Sequence, residues 1–164
     1  MLVTMKEILD RAKKDNYGVT SIMVDRSSLS YEDNIAQTKE TVKMCRPLNI
    51  SVEAELGHVG QSEDYSSDGS DHFTKPEEVK KFVEKTGIDC LAVAIGTAHG
   101  RYHGTPHIDF DLLKQITDIV DIPLVLHGGS GTGDENLRKA VKNGIQKVNL
   151  ATELVVAGKE ELET

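Results

Sequence analysis

The sequence predicts a parallel α/β fold in a single domain, residues 1–164. Three observations point to it. Short apolar runs alternate with amphipathic stretches of roughly ten residues, the pattern of successive βαβ units. Two of the runs, Cys90–Ile95 and Pro123–Leu126, are apolar throughout, as strands covered on both faces are. Five runs each end in polar residues or glycines, and ligands in parallel α/β folds sit beyond the carboxyl ends of the strands.

The elements follow in order. Residues 4–15 predict a helix: Thr4 and Glu7 fit a capping box, and Met5, Ile8, Leu9 and Ala12 form one stripe. Residues 20–25 predict a strand that ends in Asp25. Residues 32–45 predict a helix with Ile35, Thr38, Val42 and Cys45 on one side and Pro47 just beyond its end. Residues 51–56 alternate with period two, which predicts a strand and puts Glu53 and Glu55 on one face. The polar segment 57–75 is long for a connection, and such loops are usually functional or disordered. A helix opening at Pro76 runs to about Thr86. Then come a strand at 90–95, a helix at 110–120 and a strand at 123–126. A helix at 135–143, closed by Gly144, and a strand at 145–149 complete the series.

Composition narrows the function. Nineteen basic against 27 acidic residues give a net charge of −8, which argues against nucleic acid as a partner because phosphate backbones require clustered positive charge. No window reaches the roughly 18 apolar residues of a membrane span, and the first residues lack the apolar core of a secretory signal. Cys45 and Cys90 are too few for a disulfide framework. These features lead to the expectation of a cytoplasmic protein with free thiols.

The strand ends hold the chemistry. His99 and His127 follow two successive buried strands, and neighbouring strands lie about 4.8 Å apart. The two imidazoles could therefore share a metal with Glu55, a set that suits Zn²⁺; each could instead be a hydrogen-bonded structural residue. Gly128-Gly129-Ser130-Gly131 precedes a helix and could cradle a phosphate on backbone N–H groups, or be a tight turn alone. Asn149 and Thr152 add donors at the next strand end. Glu53 reads as an acid that lines the interior or is solvated. His58, His72, His103 and His107 read as surface loop residues.

Four segments, residues 51–57, 91–100, 123–130 and 147–154, resemble class II ketose-bisphosphate aldolases, the family of fructose- and tagatose-bisphosphate aldolases. The resemblance runs from about Thr20 to Leu154, with further similarity in the first 19 residues. It implies the parallel (β/α) units of a TIM barrel. It also implies zinc-dependent reversible cleavage of a ketose 1,6-bisphosphate to dihydroxyacetone phosphate and glyceraldehyde 3-phosphate, with the metal as Lewis acid. His99 and His127 match zinc ligands, and Glu55 matches an acid that coordinates in an alternative position. Gly100, Gly128, Gly129, Ser130, Asn149, Leu150, Ala151 and Thr152 match segments that bind dihydroxyacetone phosphate, some of which also hold a monovalent cation, Na⁺ or K⁺. Glu63 matches the loop carboxylate used for proton transfer. Alanine at position 151 looks like the tagatose branch. A small phosphorylated sugar and a homo-oligomeric state, dimer or tetramer, are implied as partners.

The sequence also departs from the family. The strands resemble the fourth to eighth of the barrel, so a partial barrel lacking the first three is expected in 164 residues, where a full barrel usually takes roughly 200 or more. The strand that ends in an Asp-His pair, proton donor and third zinc ligand, has no counterpart between Val19 and Thr20. A positioned acid or base is worth roughly 10²–10⁴-fold in rate. Two readings therefore stand: a zinc aldolase, and an inactive phosphate- or metal-binding remnant or assembly component.

Overall fold

The computed structural model describes residues 7, 9–10, 18–61, 72–102, 104 and 106–163. The expected helix at 4–15 lies almost wholly outside the described residues.

From Ser21 on, the described residues alternate between strands and helices: β1 (Ser21–Val24), α1 (Tyr31–Cys45), β2 (Ser51–Leu56), α2 (Pro76–Thr86), β3 (Cys90–Val93), α3 (Phe110–Thr117), β4 (Leu124–Leu126), α4 (Asp134–Lys142), β5 (Ile145–Val148) and α5 (Thr152–Leu162). The strands form one parallel sheet in the order β1-β2-β3-β4-β5, so each βαβ crossover returns the chain to the adjacent position. This is the sheet order of a partial barrel. Among the described residues, no helix is long and apolar enough to cross a membrane.

Local chemistry sets the element ends. Ser30 Oγ caps α1 by accepting from the Asp33 N–H at 3.2 Å, and Glu32 and Asp33 lie in its first turn, where the helix dipole favours acids. Pro76 opens α2, and Gly87 closes it at φ +71°. Asp109 caps α3 by accepting from Leu112 N–H at 2.8 Å. β2 and α2 have the expected bounds, and the other expected elements differ by at most three residues at either end; in β3, Ala94 and Ile95 leave the ladder to begin the strand-end loop.

The core lies between the sheet and its helices. Val52, Ala54, Leu56, Leu91, Val93 and Leu124 of the strands pack with Ile35, Val42, Val79, Phe82, Leu113 and Ile116 of the helices, all buried. Residues 91–98 are buried without a break, as their apolar run predicts. Cys45 is buried and Cys90 half-buried, both as free thiols.

Helix α5 is not expected from the sequence. None of its residues is buried, and Leu154 and Val155 are about 70% exposed. A helix with no covered face has no apolar stripe to read.

One irregularity positions the site. Between β4 and β5 the register passes from Leu124↔Ile145 to Val125↔Lys147, skipping Gln146. The Gln146 side chain accepts from the Leu124 N–H at 2.7 Å at this point. The shift places Lys147 in the row Glu55–Ala92–Val125, on the face that Glu53 shares.

Candidate active site

The sheet's interior face carries two glutamates at 2% and 1% exposure, Glu53 and Glu55. Isolated buried carboxylates are costly, so each requires partners. Glu53 Oε1 lies 2.9 Å from His127 Nε2, and Glu53 Oε2 takes the Lys147 ammonium at 2.5 Å. Glu55 Oε1 accepts from Ser27 Oγ at 3.0 Å and from the Val59 N–H at 2.9 Å. Its second oxygen is 2.9 Å from His127 Nδ1 but makes no hydrogen bond. His127 thus stands between two acids, one on each ring nitrogen.

Burial would push the His127 imidazole down, but the close contacts with Glu53 and Glu55 push it up to about 9. Burial would likewise raise the Glu53 carboxyl. The hydrogen bonds from His127 and Lys147, and their charges, win and hold it below the usual range. Burial and the nearby Glu53 charge push the Cys90 thiol up to about 11.

His99 comes from the loop after β3. Its N–H donates to Gly60 O at 2.8 Å, which ties that loop to the segment after β2. The His99 and His127 rings lie 5.8 Å apart, centroid to centroid. Adjacent strands therefore do bring the two imidazoles together. A cavity of about 400 Å³ opens beside His99, lined also by Asp25, His58, Gly60 and His72.

A second cavity, of about 510 Å³, lies beyond β4 and β5 and is lined by Gly100, Ser130, Gly131, Thr152 and Glu153, with Arg101 and Tyr102 at its wall. Ser130 Oγ accepts from the N–H groups of Ala151 (3.0 Å) and Glu153 (3.4 Å), capping the start of α5 from the neighbouring loop. The Glu153 carboxylate accepts from Gly131 N–H at 3.0 Å in return. Gly129 N–H donates to Asn149 O at 3.1 Å, so the glycine turn leans on the end of β5.

The sequence profile of the family described as fructose-bisphosphate aldolase class-II matches residues 3–164. The chain belongs to the class II fructose-bisphosphate aldolase family. It is similar to the YdjI aldolase from Escherichia coli K12, with 37% identity over 98% of this chain and 54% of that one, at a TM-score of 0.77. It is also similar to the fructose-bisphosphate aldolase from Campylobacter jejuni, with 25% identity over 91% of this chain and 48% of that one, at a TM-score of 0.71. The chain spans about half the length of these solved relatives.

Within this family chain, the expected site residues fall into three groups. His99, His127 and Glu55 converge at the ends of β2, β3 and β4. Gly100, Ser130 and Thr152 line the second cavity, whereas Asn149, Leu150, Ala151, Gly128 and Gly129 do not line it and act through backbone bonds or packing. Glu63 and His103 lie outside the described residues. His58 differs from the expectation of a surface residue: it is half-buried, with Nδ1 2.8 Å from Ser27 Oγ.

Class II membership implies a divalent metal. As they stand, no three His, Cys, Asp or Glu side chains among the described residues are arranged to hold one. The donor chemistry nevertheless fits. Glu55 Oε2 is a buried oxygen with no hydrogen bond, beside His127 Nδ1, and the His127 ring in turn lies 5.8 Å from that of His99. Glu53 on His127 Nε2 is the orienting carboxylate that metal-binding histidines characteristically have.

Two residues escaped the sequence reading. Glu53 lines the interior, one of the two expected placements, but its contact with His127 carries no sequence signal. Lys147 showed no signal at all. The available clue was a strand with two inward acids and too few nearby cations to balance them.

Proposed function

We propose that this chain takes part in the reversible aldol cleavage of a ketose 1,6-bisphosphate, tagatose or fructose, to dihydroxyacetone phosphate and glyceraldehyde 3-phosphate. The observation that carries the reading is the clustering of His99, His127 and Glu55 next to a cavity lined by Gly100, Ser130 and Thr152. Class II membership supports the reaction type. The Asn149–Thr152 segment, with alanine at 151, favours tagatose as the substrate.

His99, His127 and Glu55 would hold a zinc ion, which supplies Lewis-acid polarisation of a ketone and stabilisation of an enediolate. Glu53 keeps the His127 ring oriented, and Lys147 keeps Glu53 ionised and in place. The second cavity receives a phosphate: Ser130 and Thr152 offer hydroxyls, and the start of α5 offers a positive helix end. A monovalent cation, Na⁺ or K⁺, belongs with the same backbone segments. Glu63 supplies proton transfer from its loop. A dimer or tetramer is the proposed assembly.

The test is a coupled aldolase assay on tagatose and fructose bisphosphates, with and without chelator, beside metal analysis. Cleavage that a chelator abolishes supports the proposal. A folded, metal-loaded chain that binds dihydroxyacetone phosphate and cleaves neither sugar overturns it in favour of a binding role, as the missing Asp-His pair would favour.

A further inference from the structure

We propose that Tyr102 is a positioning residue for the two-histidine centre, its hydroxyl tying the loop that carries His99 to the loop that carries His127. The inference rests on His99 and His127 as metal ligands, the reading given above.

The strand ladder does not hold these two loops together. Pairing between β3 and β4 covers only Leu91↔Leu124 and Ala92↔Val125. His99 lies seven residues past Ala92, and His127 lies two past Val125. Beyond the ladder, the Tyr102 hydroxyl bridges the gap. It accepts from the Ala98 N–H at 2.6 Å, and its proton faces two carbonyls at 2.8 Å, Ala98 O and Gly128 O. Ala98 immediately precedes His99, and Gly128 immediately follows His127. Each end of the tie is therefore one residue from a candidate ligand.

The surroundings are shaped for this contact. Gly128 sits at φ +66°, and a Cβ there would come 2.3 Å from Ala98 O, so the two loops touch backbone to backbone. Gly131 sits at φ +75° against the tyrosine ring, where a Cβ would come 3.1 Å from Cδ2. Thr132 Oγ1 donates to the same Gly128 O at 3.1 Å, supporting it from α4's side. Loss of the hydroxyl leaves a buried N–H at Ala98 without its acceptor and frees the separation between the two imidazoles.

The test compares Tyr102→Phe with Tyr31→Phe. Tyr31 loses a hydroxyl bond of similar kind, to Glu78 O at 2.9 Å, which joins α1 to α2 rather than the two histidine loops. Zn²⁺ affinity is measured by competition with a chromophoric chelator, and Co²⁺-substituted protein gives the visible spectrum. Tyr102→Phe is expected to weaken Zn²⁺ by about tenfold or more, the usual effect of removing a group that supports metal ligands, and to shift the Co²⁺ band. Tyr31→Phe is expected to match wild type in both. Equal affinity and an unchanged spectrum in Tyr102→Phe overturn the inference alone. So does an equal loss in Tyr31→Phe, which would mark a general stability effect. A wild-type chain that takes up neither metal overturns the metal reading and this inference with it. Should Tyr102→Phe not fold, Thr132→Val replaces it: a smaller weakening in the same direction is expected, and none overturns the inference.

Discussion

Glu53 Oε1 meets His127 Nε2 at 2.9 Å, in a buried contact between residues 74 positions apart in the chain. Lys147, at 2.5 Å on the other oxygen, extends it to a chain of three charges. Removing one member of a buried set strands the others, so single substitutions here cost more than the contact itself is worth.

Without metal, the His127 imidazole is raised in the fold from its ordinary 6.5 to about 9. The folded chain binds the proton more tightly than the unfolded chain. That contribution to stability is fully present below about pH 6.5 and is lost as pH rises through about 9. Thermal unfolding in chelator is expected to show Tm falling across this window. Glu53→Gln removes the carboxylate on Nε2 and should flatten the slope. A Tm that rises or stays level from pH 6.5 to 9 in the wild type contradicts the assignment.

Cys90 reports on the same glutamate. Its Sγ is 3.7 Å from Glu53 Oε2, and its thiol is pushed up to about 11. Only the thiolate reacts, so alkylation by iodoacetamide at pH 8.5 should be at least tenfold slower in the folded chain than in urea. Glu53→Gln should speed it. Equal rates in folded and unfolded protein would refute the environment described.

Gly128 and Gly133 both have positive φ, at +66° and +85°, but their surroundings differ. A Cβ at Gly128 meets Ala98 O at 2.3 Å, while nothing lies within 4 Å of one at Gly133. Gly133→Ala should cost only the backbone penalty of its φ +85°, ψ 146° conformation, a region essentially confined to glycine, roughly 1–3 kcal/mol. Gly128→Ala should cost more, because the strand-end loops must also separate. Urea denaturation of the two variants decides the point, and equal losses would remove the close approach from the account.

Glu153 places a carboxylate at the cavity proposed for phosphate, where it accepts the Gly131 N–H. A dianion there is opposed by that charge. At about 4 Å in water the opposition is on the order of 1 kcal/mol. Glu153→Gln is therefore expected to tighten inorganic phosphate binding several-fold in calorimetry. Weaker binding would instead make Glu153 a supporting member of the cavity.

Much of this protein is legible in the sequence. The apolar runs at 90–95 and 123–126 name central strands because only a strand covered on both faces needs no polar residue. Pro76 marks the start of α2 by backbone chemistry that acts locally. The histidines at the ends of β3 and β4 follow from strand adjacency, and their rings do lie 5.8 Å apart. Helix α5 was hidden because its pattern answers to no core.

The sequence by itself determined the alternation, the sheet's parallel sense and the strand-end loops that carry His99, His127 and Ser130. Periodicity, capping and glycine conformation are short-range, and short-range chemistry can be read along the chain. Only the tertiary structure decided that Glu53 would face His127 rather than water, and that Lys147 would reach it from 94 residues away. The register shift past Gln146 sets which way Lys147 points. Nothing local to any of the three residues encodes that shift, because a buried charge chooses its partner from whatever the folded sheet brings within reach.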